Sequence, residues 1–190
     1  MNAPTAGTTQ VQESRWRAVL HRWPSGLGLA VAGVQLATGA DRDTVAIVVT
    51  VATLCYLGAA ALGRPWIAWA GVAGGSLVVA ASELIGWPWW AGLGAVALVL
   101  VIVGLLGRVP RPTLTAQTAA LLGYGGLAVA ALYFAPRLGL AMAGVVLAGH
   151  GVWDFIHYRR NKVVPRSLSE FCMLLDVPLG AGAVLLAIIN

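Results

Sequence analysis

Between Gly149 and Lys162 the chain reads GHGVWDFIHYRRNK, which sets His150, Asp154 and His157 at the end of a segment that is otherwise apolar. On a helical period His150, Trp153, Asp154 and His157 stand at i, i+3, i+4 and i+7 and share one face, while Val152, Phe155 and Ile156 take the other. Past a short basic loop, Ser169, Cys172 and Asp176 fall at i, i+3 and i+7, with Glu170 beside them. Imidazole and carboxyl groups exchange protons readily, so gathering them in an apolar setting suits general acid–base chemistry. The candidate catalytic set is therefore His150, Asp154, His157, Glu170 and Asp176.

Depth can be compared at about 1.5 Å of rise per helical residue, measured from the basic loop at 159–166. His157 then lies about 3 Å in, Asp154 about 8 Å and His150 about 14 Å, against about 6 Å for Glu170, 9 Å for Cys172 and 15 Å for Asp176. If the two segments are neighbours, His150 and Asp176 share a level. A carboxylate at the centre of a membrane helix costs roughly 2.5–3.5 kcal/mol unless it faces a partner or a cavity. Pro178 leaves the Leu174 carbonyl without its helical donor and can bend the chain beside Asp176. These features predict a polar cavity opening toward the basic loop. His157 and Glu170 are shallow enough to serve as interfacial residues, Asp154 could pair with Arg159 or Arg160, and His150 and Asp176 could form a purely structural bond between helices.

The elements that position these groups follow from composition. Of 190 residues, 59% are hydrophobic and 10% charged, whereas a soluble domain carries about a quarter charged residues. This excess predicts an all-α integral membrane protein. Seven apolar runs separated by short polar breakers span approximately 24–40, 44–62, 66–85, 89–106, 114–134, 138–158 and 168–189. A crossing helix needs about 20 residues, with about 17 as a lower limit, so the first run is marginal. The expected architecture is one compact bundle of seven transmembrane helices, or six if Arg15–Arg22 and Gly26–Ala40 form a cleaved signal peptide. Residues 1–23 form a cytoplasmic N-terminal segment and 24–190 a single transmembrane domain.

Orientation follows from the twelve Lys and Arg residues. Arg15, Arg17, Arg22, Arg64, Arg108, Arg111, Arg159, Arg160, Lys162 and Arg166 fall on one side of a seven-span map, and Arg42 and Arg137 on the other. A ten-to-two asymmetry predicts a cytoplasmic N-terminus and an outside C-terminus, in a multi-pass protein of the cell membrane. Trp16, Trp23, Trp66, Trp69 and Trp153 then mark the inner boundary and Trp87, Trp89 and Trp90 the outer one. The net charge of +5 is distributed as topology signals rather than along one face, which argues against a nucleic-acid partner. The bilayer is the expected partner.

Cys55 and Cys172 lie in separate apolar runs and form neither a disulfide framework nor a zinc motif. Small residues recur in GLGLAVAG (26–33) and AGVAGG (70–75), as close helix packing in lipid requires. Glu83 belongs to the far end of the third span, and Thr53, Tyr56, Thr115 and Gln117 fall in the inner half, where they could line the cavity.

A single metal ion would draw on His150 and Asp154 with Asp176 or Cys172. That donor set names no particular cofactor, because the two histidines are seven residues apart rather than four. Without metal, a carboxylic acid held in an apolar cavity can protonate an alkene or epoxide, as cyclisation of an isoprenoid requires. At the level of architecture the chain resembles small multi-helix membrane enzymes such as integral membrane terpene cyclases and ceramidase-like hydrolases. Its three histidines do not form the HxxxH pair of the hydrolases, so no site residue is carried over. The expected function is an intramembrane enzyme using acid–base chemistry, with or without metal, on a lipid or isoprenoid; the alternatives are an accessory membrane subunit and a small proton-coupled transporter.

Overall fold

The computed structural model describes residues 22–189, so Arg15, Trp16 and Arg17 of the topology argument lie outside the described residues. Among the described residues there is no strand. The helices are α1 (Trp23–Ala37), α2 (Arg42–Leu62), α3 (Ile67–Leu84), α4 (Trp89–Leu106), α5 (Arg111–Ala131), α6 (Pro136–Arg160) and α7 (Arg166–Ile189). Each end lies within three residues of the expected boundary. Hydrophobic runs bounded by Gly, Pro and charged breakers determine helix ends in this chain.

Local chemistry explains the ends. Asp41 caps α2 by accepting a hydrogen bond from the Thr44 amide at 2.8 Å, and Gly63 stops the helix in the left-handed region at φ 63°. Pro136 starts α6, where its missing N–H costs nothing, and Asn161 ends it at φ 48°. Within α5 the segment LLGYG (Leu121–Gly125) widens into a π-type turn. Such turns reorient side chains locally.

Among the described residues six helices, α2 to α7, are long and apolar enough to cross a membrane. The first run forms α1, but 15 residues give a rise of only about 22 Å. Leu77, Leu84, Leu98, Leu106, Val145 and Ile188 are exposed, each more than half accessible. An apolar exterior of this kind suits lipid rather than water.

α2 is the centre. It is apolar all round and buried over nearly its whole length, with Val45, Val49, Cys55, Tyr56 and Leu57 at 0–1% exposure. α3, α4, α5, α6 and α7 contact it, and α1 packs outside against α7. The closest helix pair is α6 with α7. A Cβ on Gly180 would come within 2.7 Å of the Ala148 amide nitrogen, and one on Gly144 within 2.7 Å of the Gly180 carbonyl oxygen. Backbone therefore meets backbone, the close approach that small residues permit between helices in lipid.

The basic residues sort by end. Arg42 donates to the Phe134 carbonyl at 2.6 Å, and Arg42 and Arg137 line one pocket with Leu186. At the opposite end Arg22 lies 3.6 Å from Glu170, and Trp69 donates to Ser167 at 3.1 Å.

Candidate functional site

Three helices deliver the site. α6 presents His150 and Asp154 one turn apart, α7 presents Asp176 and Ser169, and the central α2 presents Tyr56. The outer side of α6 carries Val152 and Phe155, both exposed, while His150 and Asp154 are fully buried. The helical period of the sequence therefore becomes a polar inner face and an apolar outer one.

His150 Nδ1 donates to Asp176 Oδ2 at 2.8 Å and lies 3.4 Å from Asp154 Oδ2. The equal depth expected for His150 and Asp176 is what the fold realises. Asp154 has a different partner from the expected arginines: Tyr56 Oη donates to its Oδ1 at 2.7 Å and is itself 3.1 Å from Ser169 Oγ. Arg159 and Arg160 lie five and six residues on, which turns them away from Asp154, and both are exposed. The cluster still has open valences. His150 Nε2, Asp154 Oδ2 and Asp176 Oδ1 are buried with no hydrogen-bond partner.

The rings of Tyr56 and Tyr124 meet His150 edge-on, at centroid separations of 5.8 and 5.1 Å. Tyr124 sits in the π-type turn of α5 and donates to the Gly149 carbonyl at 3.3 Å. His150 is thus walled by aromatic edges as well as by carboxylates.

His157 belongs to a separate group. Trp153 Nε1 can only donate, and it does so to Gln117 Oε1 at 3.2 Å, which fixes the amide orientation. Gln117 Nε2 consequently donates to His157 Nε2 at 3.2 Å, leaving His157 Nδ1 to donate to the Trp153 carbonyl at 2.9 Å. Both ring nitrogens are occupied in a closed circuit that joins α5 to α6. Glu170 is elsewhere again, accepting from Ser25 and lying 3.6 Å from Arg22, so it ties α7 to α1. The five expected residues therefore divide into one cluster of three and two separate contacts.

The single polar cavity expected from the sequence divides in the same way. His150, Asp154 and Asp176 are each 0% exposed. A pocket of about 430 Å³ at the basic end is lined by Gln117, Trp153, His157, Arg160 and Lys162 instead. Helix packing at Gly144 and Gly180 brings the backbones of α6 and α7 together along that seam. A larger cleft of about 510 Å³ lies among α2, α4 and α5, almost wholly apolar, with Leu121, Leu122, Gly125 and Gly126 in its lining.

Of the expected inner-half residues, Tyr56 and Gln117 join the polar groups. Thr53 bonds back to its own helix at the Val49 and Thr50 carbonyls, and Thr115 is exposed. Cys172 is buried but stands outside the cluster whose ligand-type atoms come together, which is His150, Asp154 and Asp176. Among the described residues, fold and site define an all-helical chain with six membrane-length helices and a buried His/Asp cluster. No protein-family model, curated protein or solved structure matches the chain.

Proposed function

We propose that the chain is a multi-pass protein of the cell membrane, crossing it seven times with a cytoplasmic N-terminus. In this reading it is an enzyme that acts on a lipid-soluble substrate, an isoprenoid or other lipid, by acid–base chemistry at His150, Asp154 and Asp176. The observation that carries the reading is the set of unpartnered atoms, His150 Nε2, Asp154 Oδ2 and Asp176 Oδ1, at full burial. A cluster kept only for packing satisfies its polar atoms, since an unmet one costs about 1–3 kcal/mol. These are open toward something that arrives.

Each residue then has a role. His150 and Asp176 share the proton that is moved, and Tyr56 with Ser169 holds Asp154 beside them. His157 and Glu170 support the surrounding helices, His157 joining α5 to α6 through Gln117 and Glu170 joining α7 to α1 through Ser25. The apolar cleft supports a lipid-soluble substrate: its lining residues flank Tyr124, whose ring stands against His150. The ten-to-two distribution of basic residues supports the orientation. α1 joins the crossing set through its contact with α7, a short helix being accommodated by local thinning of the bilayer.

Complete burial of the cluster also fits an accessory subunit in which these residues merely join α6 to α7. The two readings separate in lipid-soluble extracts of cells producing the wild type or Asp176→Asn at equal membrane levels. A change in the extract that needs Asp176 supports the enzyme. Extracts altered equally by both proteins, or by neither, count against it.

A further inference from the structure

We propose that His150, Asp154 and Asp176 bind one divalent first-row transition-metal ion with at least one coordination position open. This deepens the enzymatic reading and rests on it, because it names the agent through which the cluster would act.

Geometry is the first argument. One ligand-type atom from each of the three residues lies within 4.8 Å of the others. The separations from His150 Nδ1 are 2.8 Å to Asp176 Oδ2 and 3.4 Å to Asp154 Oδ2. Ligands about 2.0–2.2 Å from a tetrahedral ion stand roughly 3.3–3.6 Å apart. Small side-chain adjustments suffice to admit the ion, and His150 Nδ1 would exchange its bond to Asp176 for a bond to the metal.

The unmet atoms are the second argument. Asp154 Oδ2 and Asp176 Oδ1 are fully buried acceptors without a donor. Among the described residues no Lys or Arg lies within ion-pair distance of either carboxylate; His150 alone does. A divalent cation balances two carboxylates beside a neutral imidazole. Such balance matters most where lipid replaces water.

Support behind the ligands is the third. Tyr56 holds Asp154 Oδ1 and is backed by Ser169, so the carboxylate is oriented with Oδ2 free. Outer partners of this kind fix ligand direction at metal sites. One imidazole and two carboxylates suit zinc, manganese or iron(II), and Cys172 lies outside the group, which disfavours a soft copper(I) site. Three protein ligands leave a position for water or a substrate oxygen. A bound ion supplies Lewis acidity there, and the acid–base work passes to a water on the open position.

The test uses the full chain, purified in detergent without chelators and shown to be monodisperse. Elemental analysis should find about one equivalent of a first-row metal per chain, falling at least tenfold in Asp154→Asn and Asp176→Asn. Should those variants fail to fold, chelator-treated wild type is titrated with Co2+, Zn2+, Mn2+ and Fe2+. A saturable one-site rise in Tm, with a Co2+ absorption band, supports the site. A folded wild type that holds no metal and responds to none of the four ions overturns it. Dependence of the lipid extract on Asp176 in that metal-free protein would leave the acid–base enzyme standing. Metal binding with extracts indifferent to Asp176 would uphold the ion and remove the enzyme.

Discussion

His150 Nδ1 lies 2.8 Å from Asp176 Oδ2, and this bond spans α6 and α7 at full burial. The pair exists because the two helices touch through Gly144 and Gly180, six residues before His150 and four after Asp176. Packing and chemistry are therefore coupled along one seam.

Gly180→Ala tests the coupling. The new Cβ would meet the Ala148 amide at 2.7 Å and the Gly144 carbonyl oxygen at 2.5 Å, and neither backbone atom can move aside alone. The helices must separate, at a cost of about 1–3 kcal/mol. Thermal unfolding in detergent reads this. Gly74→Ala, inside α3 and with nothing within 4 Å of its Cβ, is the control and should be neutral or stabilising by up to about 1 kcal/mol.

Tyr56→Phe removes the donor to Asp154 Oδ1 while keeping the ring against His150 and His157. A carboxylate that already has one open oxygen then loses its other partner, at about 1–3 kcal/mol. Ser169→Ala should cost less, since Tyr56 still holds Asp154. Equal losses in the two variants would show that the Tyr56 bond does not hold the carboxylate.

The common level of His150 and Asp176 was legible in the sequence; the Gly144 and Gly180 contact that makes α6 and α7 neighbours, and the partners of Asp154, were not. Helix ends follow from apolar runs and breakers, and the common depth of His150 and Asp176 follows from rise per residue on two antiparallel segments. Both depend on one segment or on two joined by a short loop. Tyr56 reaches Asp154 only because α2 is central, and centrality is a property of the whole bundle. The apolar pattern of α2 gave no sign of this, because a helix apolar all round also suits lipid, as α4 does with Leu98 and Leu106 exposed. Gln117 was legible as an inner-half residue, but its circuit with Trp153 and His157 depends on the contact between α5 and α6. Arg159 and Arg160 were attractive partners for Asp154 by proximity in sequence, and the helical period turns both outward.

Orientation is tested by single cysteines in a background lacking Cys55 and Cys172. Arg137→Cys should react with an impermeant maleimide in intact cells, and Lys162→Cys only after permeabilisation. The reverse pattern would invert the protein and place the His157 pocket outside the cell.

Work on a ligand by His150 and Asp176 is separable from a bond that merely joins two helices. His150→Gln and Asp176→Asn keep much of the hydrogen-bonding shape while removing the exchangeable proton and the ligand charge. The measurement is the change in lipid-soluble extract per folded molecule, beside Tm, for both single variants and the double variant. Each single variant is expected to abolish the extract change while a folded, membrane-inserted protein persists, and the double variant to restore nothing. An unaltered extract change per folded molecule, with stability lost in the singles and partly recovered in the double, would contradict it and leave a structural pair.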